Sequence, residues 1–275
     1  MSVEEKIKET DEVEEQEEEL PKSEFEAVDS VLKDAKTFCI LTHRSPDPDA
    51  IGSIMFMQWA IQKKYGIMPD AFYEGEIDHP QNMALVNLLD PNMKPIDEFE
   101  GEYDVYILVD TIPSNAGVGK NKISFNLCID HHKESPNGSF DGLFVNLKAG
   151  SAVSTIWALV DFWGLKFKDS VDADSRVATA VMVGIATDTE NMMSEDCSNF
   201  ETQAWNFCLP YRDAESLKKI VNFERPMAWI TAQSQAVERV EVDDGLAVVG
   251  LQMNGAYILA KHRACLLYTS PSPRD

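Results

Sequence analysis

Short apolar runs recur along this chain, and between them the apolar residues switch to a helical spacing. Residues 37–42, 104–109 and 124–129 are too short for stable helices and are largely apolar on both alternating sides, the pattern of strands buried on both faces. Residues 71–73 and, more weakly, 143–147 read as further strands. Helical periods fill the gaps. Phe25, Val28, Val31 and Leu32 share one face, residues 50–65 run to Gly66, and residues 80–89 stop at Pro91. Residues 151–162 and 173–186 read as two more helices. The alternation predicts an α/β fold, a mainly parallel sheet with helices on both faces.

The ends differ in composition. The first nineteen residues hold ten acids and two lysines, so residues 1–22 read as a disordered acidic tail. The main domain is expected over 23–190 and a helical linker over 191–222. Residues 223–264 read as the start of a smaller α/β unit, with a helix at 226–240 and strands at 246–251 and 256–260. The last eleven residues, 265–275, resemble a translated sequencing-library adapter, and the natural chain is expected to continue past Ala264.

The formal net charge of −23 repels long polyanions and argues against a binder of long nucleic acid. A small phosphate ester is not excluded, because bound cations reverse the local field. No run is long enough to span a bilayer and no apolar leader is visible, which points to the cytoplasm and to no membrane partner. The five cysteines show no paired metal-ligand spacing and read as free thiols in a reducing compartment.

The chemistry gathers after the apolar strands, where ligands bind in open α/β sheets. His43, Asp47 and Asp49 fall within seven residues after the first strand, stiffened by Pro46 and Pro48. Asp47 and Asp49 point opposite ways in an extended loop, so each can serve a different metal ion. The competing reading is a helix-start loop with Asp49 as its cap. Asp110 ends the run 105–109. Alone it is a weak signal, since a strand-end Asp often forms a turn, but it can bridge two ions. Asp130-His131-His132 follows 125–129. One histidine can ligate while the other faces substrate, and Asp130 can accept a ring N–H of a neighbouring ligand. Asp188 ends an apolar helix, where the dipole disfavours a carboxylate and a cation would compensate. Mixed imidazole and carboxylate donors suit Mn2+ better than Mg2+, Ca2+ or structural zinc.

The set His43…Asp47-Pro-Asp49-Ala…Gly52-Ser53, Asp110, Asp130-His131-His132 and Asp188 resembles the four motifs of the DHH phosphoesterase superfamily, in order and at ordinary spacing, over about residues 36–190. Ser45 stands where Asn is frequent and Pro48 where Gly is frequent, both between ligands. The resemblance implies two metal ions, Mn2+ with Mg2+ or Co2+ as substitutes. One would be held by His43, Asp47 and Asp110, the other by Asp49, Asp110, His131 and Asp188. Asp110, Asp130 and His132 would be catalytic, with His132 at the scissile phosphate. It also implies a DHHA1-like second domain with a Gly-rich substrate grip. Residues 223–264 look like its beginning, and no Gly-Gly-Gly-His-like stretch appears in them.

The expected function is two-metal hydrolysis of short nucleotides, either short oligoribonucleotides or pAp (3′-phosphoadenosine 5′-phosphate). Arg44 and His132 would steady phosphoryl charge. Ser151 and Ser154, at a helix start, would offer hydroxyl and N–H groups to a phosphate, a plain N-cap being an equal reading. Within the same superfamily the alternative is a pyrophosphate, polyphosphate or cyclic-dinucleotide hydrolase. From another class it is a non-catalytic nucleotide sensor. Such a sensor would be marked by lost ligands, and none is lost. A homodimer stays open. His79 reads as a surface residue or as part of the site wall.

Overall fold

A computed structural model describes residues 22–249, apart from 139, 169–171, 226 and 244–245. The acidic tail up to residue 21, the expected strand at 256–260 and the adapter-like tail lie outside the described residues. The helices are α1 (Lys22–Leu32), α2 (Pro48–Tyr65), α3 (Pro80–Leu89), α4 (Ala152–Phe162), α5 (Asp172–Asp188), α6 (Asn199–Cys208), α7 (Ala214–Val221) and α8 (Met227–Glu238). The strands are β1 (Phe38–Leu41), β2 (Asp70–Tyr73), β3 (Lys94–Pro95), β4 (Val105–Val109), β5 (Leu127–Ile129), β6 (Leu143–Val145), β7 (Val240–Asp243) and β8 (Leu246–Val249).

Six strands form one sheet in the order β3-β2-β1-β4-β5-β6, and every pairing in it is parallel. The order reverses between β1 and β4, which lie side by side with Leu41 opposite Leu108. Chain excursions leave β1 and β4 in opposite directions there and open a crevice at the carboxyl ends of both strands.

The strand residues alternate between two cores. Phe38, Ile40, Ile107, Val109, Leu127 and Ile129 pack with residues of α1, α2, α4 and α5 in the larger one. Cys39, Leu41, Phe72, Leu108 and Cys128 face the other side, under Ile96, Phe99, Tyr103, Phe125 and Phe140. The helical cover is therefore concentrated on one face, and aromatic loops cover the second. The reason lies in the connections. The links from β4 to β5 and from β5 to β6 are loops with a single short 3-10 turn, Pro113–Asn115, where α-helices would otherwise sit.

Helix α2 runs through the middle, with every residue from Pro48 to Ile61 buried. Each Ile, Met or Phe buried there contributes roughly 1.5–3 kcal/mol of transfer free energy. Gly52 lets α2 approach α5 closely: a Cβ there would meet the Ala180 carbonyl oxygen at 3.0 Å. Gly66, at φ 77°, ends the helix in the left-handed conformation that glycine adopts at little cost. Near the described end, α8 stops at Glu238 and Val240 begins a strand antiparallel to β8, where a longer helix was expected. Val240-Glu-Val-Asp243 alternates with period two ahead of an Asp-Gly pair, a hairpin signal that outweighs helical spacing. No helix among the described residues is long and apolar enough to cross a membrane.

Candidate metal centre

β1 delivers His43 to the crevice. Its Nδ1 lies 3.0 Å from the Arg44 carbonyl oxygen, so Nδ1–H donates there and Nε2 turns inward. Nε2 stands 3.5 Å from Asp110 Oδ2 and 3.9 Å from Asp47 Oδ1. The cap of α2 is Asp47, not Asp49: its Oδ1 accepts from the N–H groups of Asp49 at 3.1 Å and Ala50 at 3.2 Å.

Asp49 is fully buried one residue inside α2. Its carboxylate accepts from the N–H groups of Ala152 at 2.6 Å and Val153 at 3.1 Å, the first residues of α4. A helix N-terminus, usually a cradle for external anions, is here given to an internal carboxylate. Asp110 follows β4 at φ 56°, a left-handed conformation that Asp tolerates better than most residues, and its N–H is held by the Ile129 carbonyl at 2.9 Å. His131 follows β5, and its Nε2 lies 3.4 Å from Asp110 Oδ1, 3.3 Å from Asp188 Oδ2 and 3.8 Å from Asp49 Oδ2. Asp188, the last residue of α5, closes the group.

Three groups of donors result among the described residues: His43 with Asp47 and Asp110, Asp49 with Asp110, His131 and Asp188, and Asp110 with Asp130, His131 and His132. The ligand atoms within each lie no more than 4.8 Å apart. Asp110 belongs to all three. The first two are the groups that the resemblance assigns. The donors fit divalent ions on an independent ground: Asp110 Oδ1 and His131 Nε2 are buried without a hydrogen-bond partner. Native proteins seldom leave such atoms unsatisfied.

The electrostatics of the centre favour positive charge. Burial disfavours the imidazolium of His43, but the carboxylates of Asp110 and Asp47 facing it outweigh this and push its pKa up to about 11. His131 reaches about 11 as well, burial being outweighed by the carboxylates of Asp110, Asp188 and Asp49 around its Nε2. Burial and the charges of Asp110 and Asp188 hold Asp49 well above the usual carboxylate range. Burial also raises Asp188, with His131 opposing and Asp47 and Asp110 adding to the rise.

Beside this centre, His132 Nδ1 lies 2.8 Å from Asp130 Oδ1, and 55% of the His132 side chain is exposed. Burial of Asp130 favours its neutral form, but the hydrogen bond from His132 overrides this and lowers its pKa. His132 is raised, chiefly by that same bond. Asp130 also accepts the His131 backbone N–H at 2.9 Å.

His43, Asp47, Asp110, Asp130, His131, His132 and Asp188 all line one cleft of about 1140 Å³. Three expected substrate contacts do not. Arg44 is exposed and packs beside Gly75. Ser151 and Ser154 are fully buried, and their hydroxyls pair with each other at 2.8 Å. The N–H groups of α4 that a phosphate would use are already taken by Asp49. His79 caps α3 through Gln81 N–H at 3.3 Å and packs on Phe223. The cleft adds residues that motif reading passed over, including Lys133, Phe144, Asn146, Lys148 and Asp196. Their one sequence signal is the alternation Phe144-x-Asn146-x-Lys148 at the end of a weak strand pattern.

Residues 37–185 match the family model of the DHH family, N-terminal domain. The chain is 27% identical over 217 residues to an uncharacterized protein of Methanocaldococcus jannaschii, covering 77% of this chain and 43% of that protein. It is 23% identical over 166 residues to a protein of Lactobacillus delbrueckii subsp. bulgaricus named probable manganese-dependent inorganic pyrophosphatase, covering 60% and 51%. The chain thus spans about half the length of these relatives. Its backbone superposes on an exopolyphosphatase-related protein from Bacteroides fragilis with a TM-score of 0.68 at 14% identity, over 90% of this chain and 73% of that one, which shows a shared fold.

Proposed function

The chain belongs to the DHH family, and on that premise we propose that it is a metal-dependent phosphoesterase that cleaves short nucleotides, either short oligoribonucleotides or pAp. The observation that carries this reading is the sharing of Asp110, which lines a large cleft, between the His43 and His131 donor groups. His43, Asp47 and Asp110 would hold one Mn2+, and Asp49, Asp110, His131 and Asp188 a second. Bound divalent ions supply an acidified water as nucleophile and neutralise charge on the phosphoryl oxygens.

The protein's own groups do the rest. Asp130 keeps the Nδ1–H of His132 engaged and favours its cationic form, which leaves Nε2 to steady negative charge on the phosphoryl oxygens. The backbone of α4 holds Asp49 in one position, so this ligand needs no reorganisation. Size and lining favour a nucleotide over a bare anion. Apart from the ligands and the Asp130–His132 pair, the cleft offers Lys133 and Lys148 against Glu134 and Asp196, with Ile112 and Phe144 as apolar wall. A compact polyanion gains little from a lining with balanced charge, whereas a base and sugar bury apolar surface there.

A second reading, hydrolysis of pyrophosphate or polyphosphate, is favoured by the names of the similar proteins from Lactobacillus delbrueckii and Bacteroides fragilis. The test is Mn2+-restored hydrolysis by chelator-stripped protein. The panel is a 5′-phosphorylated RNA dinucleotide, pAp, pyrophosphate, a polyphosphate and a cyclic dinucleotide. Turnover of the dinucleotide or pAp supports the first reading, turnover of pyrophosphate or polyphosphate alone replaces it with the second, and turnover of nothing contradicts both.

A further inference from the structure

Beyond the metal ligands, one segment of the cleft is built to a pattern. From Phe144 to Lys148 the residues alternate. Val145 and Leu147 turn to the larger core, while Phe144, Asn146 and Lys148 line the cleft, and Ala149, at the end of the strip, touches both. Phe144 is half-buried against the smaller core, which fixes its ring.

Asn146 ties this strip to the phosphate side of the site. Its Nδ2 donates to the His132 carbonyl at 2.7 Å, and its Oδ1 accepts the Lys148 N–H at 2.8 Å. Lys148 sits at φ 56°, a left-handed conformation that lysine rarely adopts. One amide side chain therefore sets the spacing between His132 and Lys148.

The two lysines of the cleft differ in what they have to offer. Lys133 is paired with Asp196 at 3.3 Å. Lys148 has no carboxylate partner among the described residues.

We infer that Phe144, Asn146 and Lys148 form a subsite that selects nucleotides carrying a second phosphate. Lys148 is its cation and Phe144 the wall for the base or sugar, with Asn146 as a positioning residue. This rests on the nucleotide reading above and names which end of the substrate the cleft recognises. The scissile phosphate lies at the metal centre beside His132, and the second phosphate reaches Lys148.

The test compares an RNA dinucleotide with and without a 5′-phosphate on Mn2+-loaded protein, by calorimetric binding and by turnover. The variants are Lys148→Met, which keeps the aliphatic stem, and Phe144→Leu, which keeps the core contact. Wild type should bind the phosphorylated dinucleotide about fivefold more tightly, the scale of one exposed ion pair. Lys148→Met should erase that preference and leave affinity for the unphosphorylated form unchanged. Phe144→Leu should weaken both forms about fivefold or more, as loss of a base-stacking surface does. Equal affinities in wild type, or an equal loss for both ligands in Lys148→Met, would overturn the inference. Preferential binding without turnover would uphold the subsite and contradict the proposed activity. Turnover without preference would do the reverse.

Discussion

Asp110 Oδ1 and His131 Nε2 face each other at 3.4 Å, both buried, and neither has a hydrogen-bond partner. Leaving such groups unsatisfied costs about 1–3 kcal/mol each. A divalent ion ligated by both removes the cost. Mn2+ at a hundredfold excess over its Kd should therefore stabilise the protein by about 2.7 kcal/mol per site, read as a rise in Tm. Asp110→Asn should abolish most of that rise. It should also cut kcat/KM by more than the roughly 10–100-fold that loss of an outer partner costs. An undiminished rise in this variant would contradict a shared ligand.

The proton balance gives a second prediction. His43 and His131, at about 11, are protonated in the metal-free protein at neutral pH. Because their folded pKa lies above the unfolded value, their protonation stabilises the metal-free fold fully below about 6.5, and the contribution is lost only as pH rises through about 11. A metal ligand must be the neutral imidazole, so loading expels these protons. Calorimetry at pH 7.5 in buffers of different ionisation enthalpy should show release of on the order of two protons per loaded chain. Affinity should climb with pH across the neutral range. Heats that do not depend on the buffer would count against the assignment of both histidines.

Packing around Asp49 yields a prediction at a residue that is no ligand. A Cβ at Gly184 of α5 would meet Asp49 Oδ1 at 3.0 Å and Asp49 Cα at 3.2 Å. Helix propensity favours Ala over Gly by about 1 kcal/mol, but overpacking costs typically 1–3 kcal/mol. Gly184→Ala should lower stability by about 1 kcal/mol net in urea titration. It should also weaken Mn2+ binding about tenfold by displacing Asp49. A variant more stable than wild type with unchanged Mn2+ affinity would show that this contact is slack.

Asp130 reports on His132. The hydrogen bond between them raises the His132 pKa, against burial and the nearby His131. Asp130→Asn removes that support, so the imidazolium is lost at lower pH. The alkaline limb of the kcat–pH profile should move to lower pH, with kcat falling about 10–100-fold and KM changing little. An unmoved limb would separate His132 protonation from turnover.

Sequence reading reached residues that the fold brings together because β1, β4 and β5 are apolar on both sides and each ends at a polar residue. Burial on both faces leaves a strand no other pattern, and the residue after it can only enter the crevice. Other features depend on contacts that no spacing records. Asp47 rather than Asp49 caps α2 because α4, a hundred residues on, claims Asp49. The same contact explains why Ser151 and Ser154 point into the core and not at a phosphate. The strand β3, Lys94–Pro95, has only two residues, both exposed, and carries no apolar signal at all. Phe144, Asn146 and Lys148 show as a strip only once β6 is placed beside β5 and its inward side is known.

The central claim is that Asp110 joins two metal sites in one chain. Its most direct test is the count of Mn2+ ions bound per chain, by equilibrium dialysis after chelator stripping, for wild type and Asp110→Asn. Two ions per wild-type chain, falling to one or none in the variant with its fold intact by circular dichroism, is the predicted result. One ion or none in wild type, or an unchanged count in the variant, would contradict it.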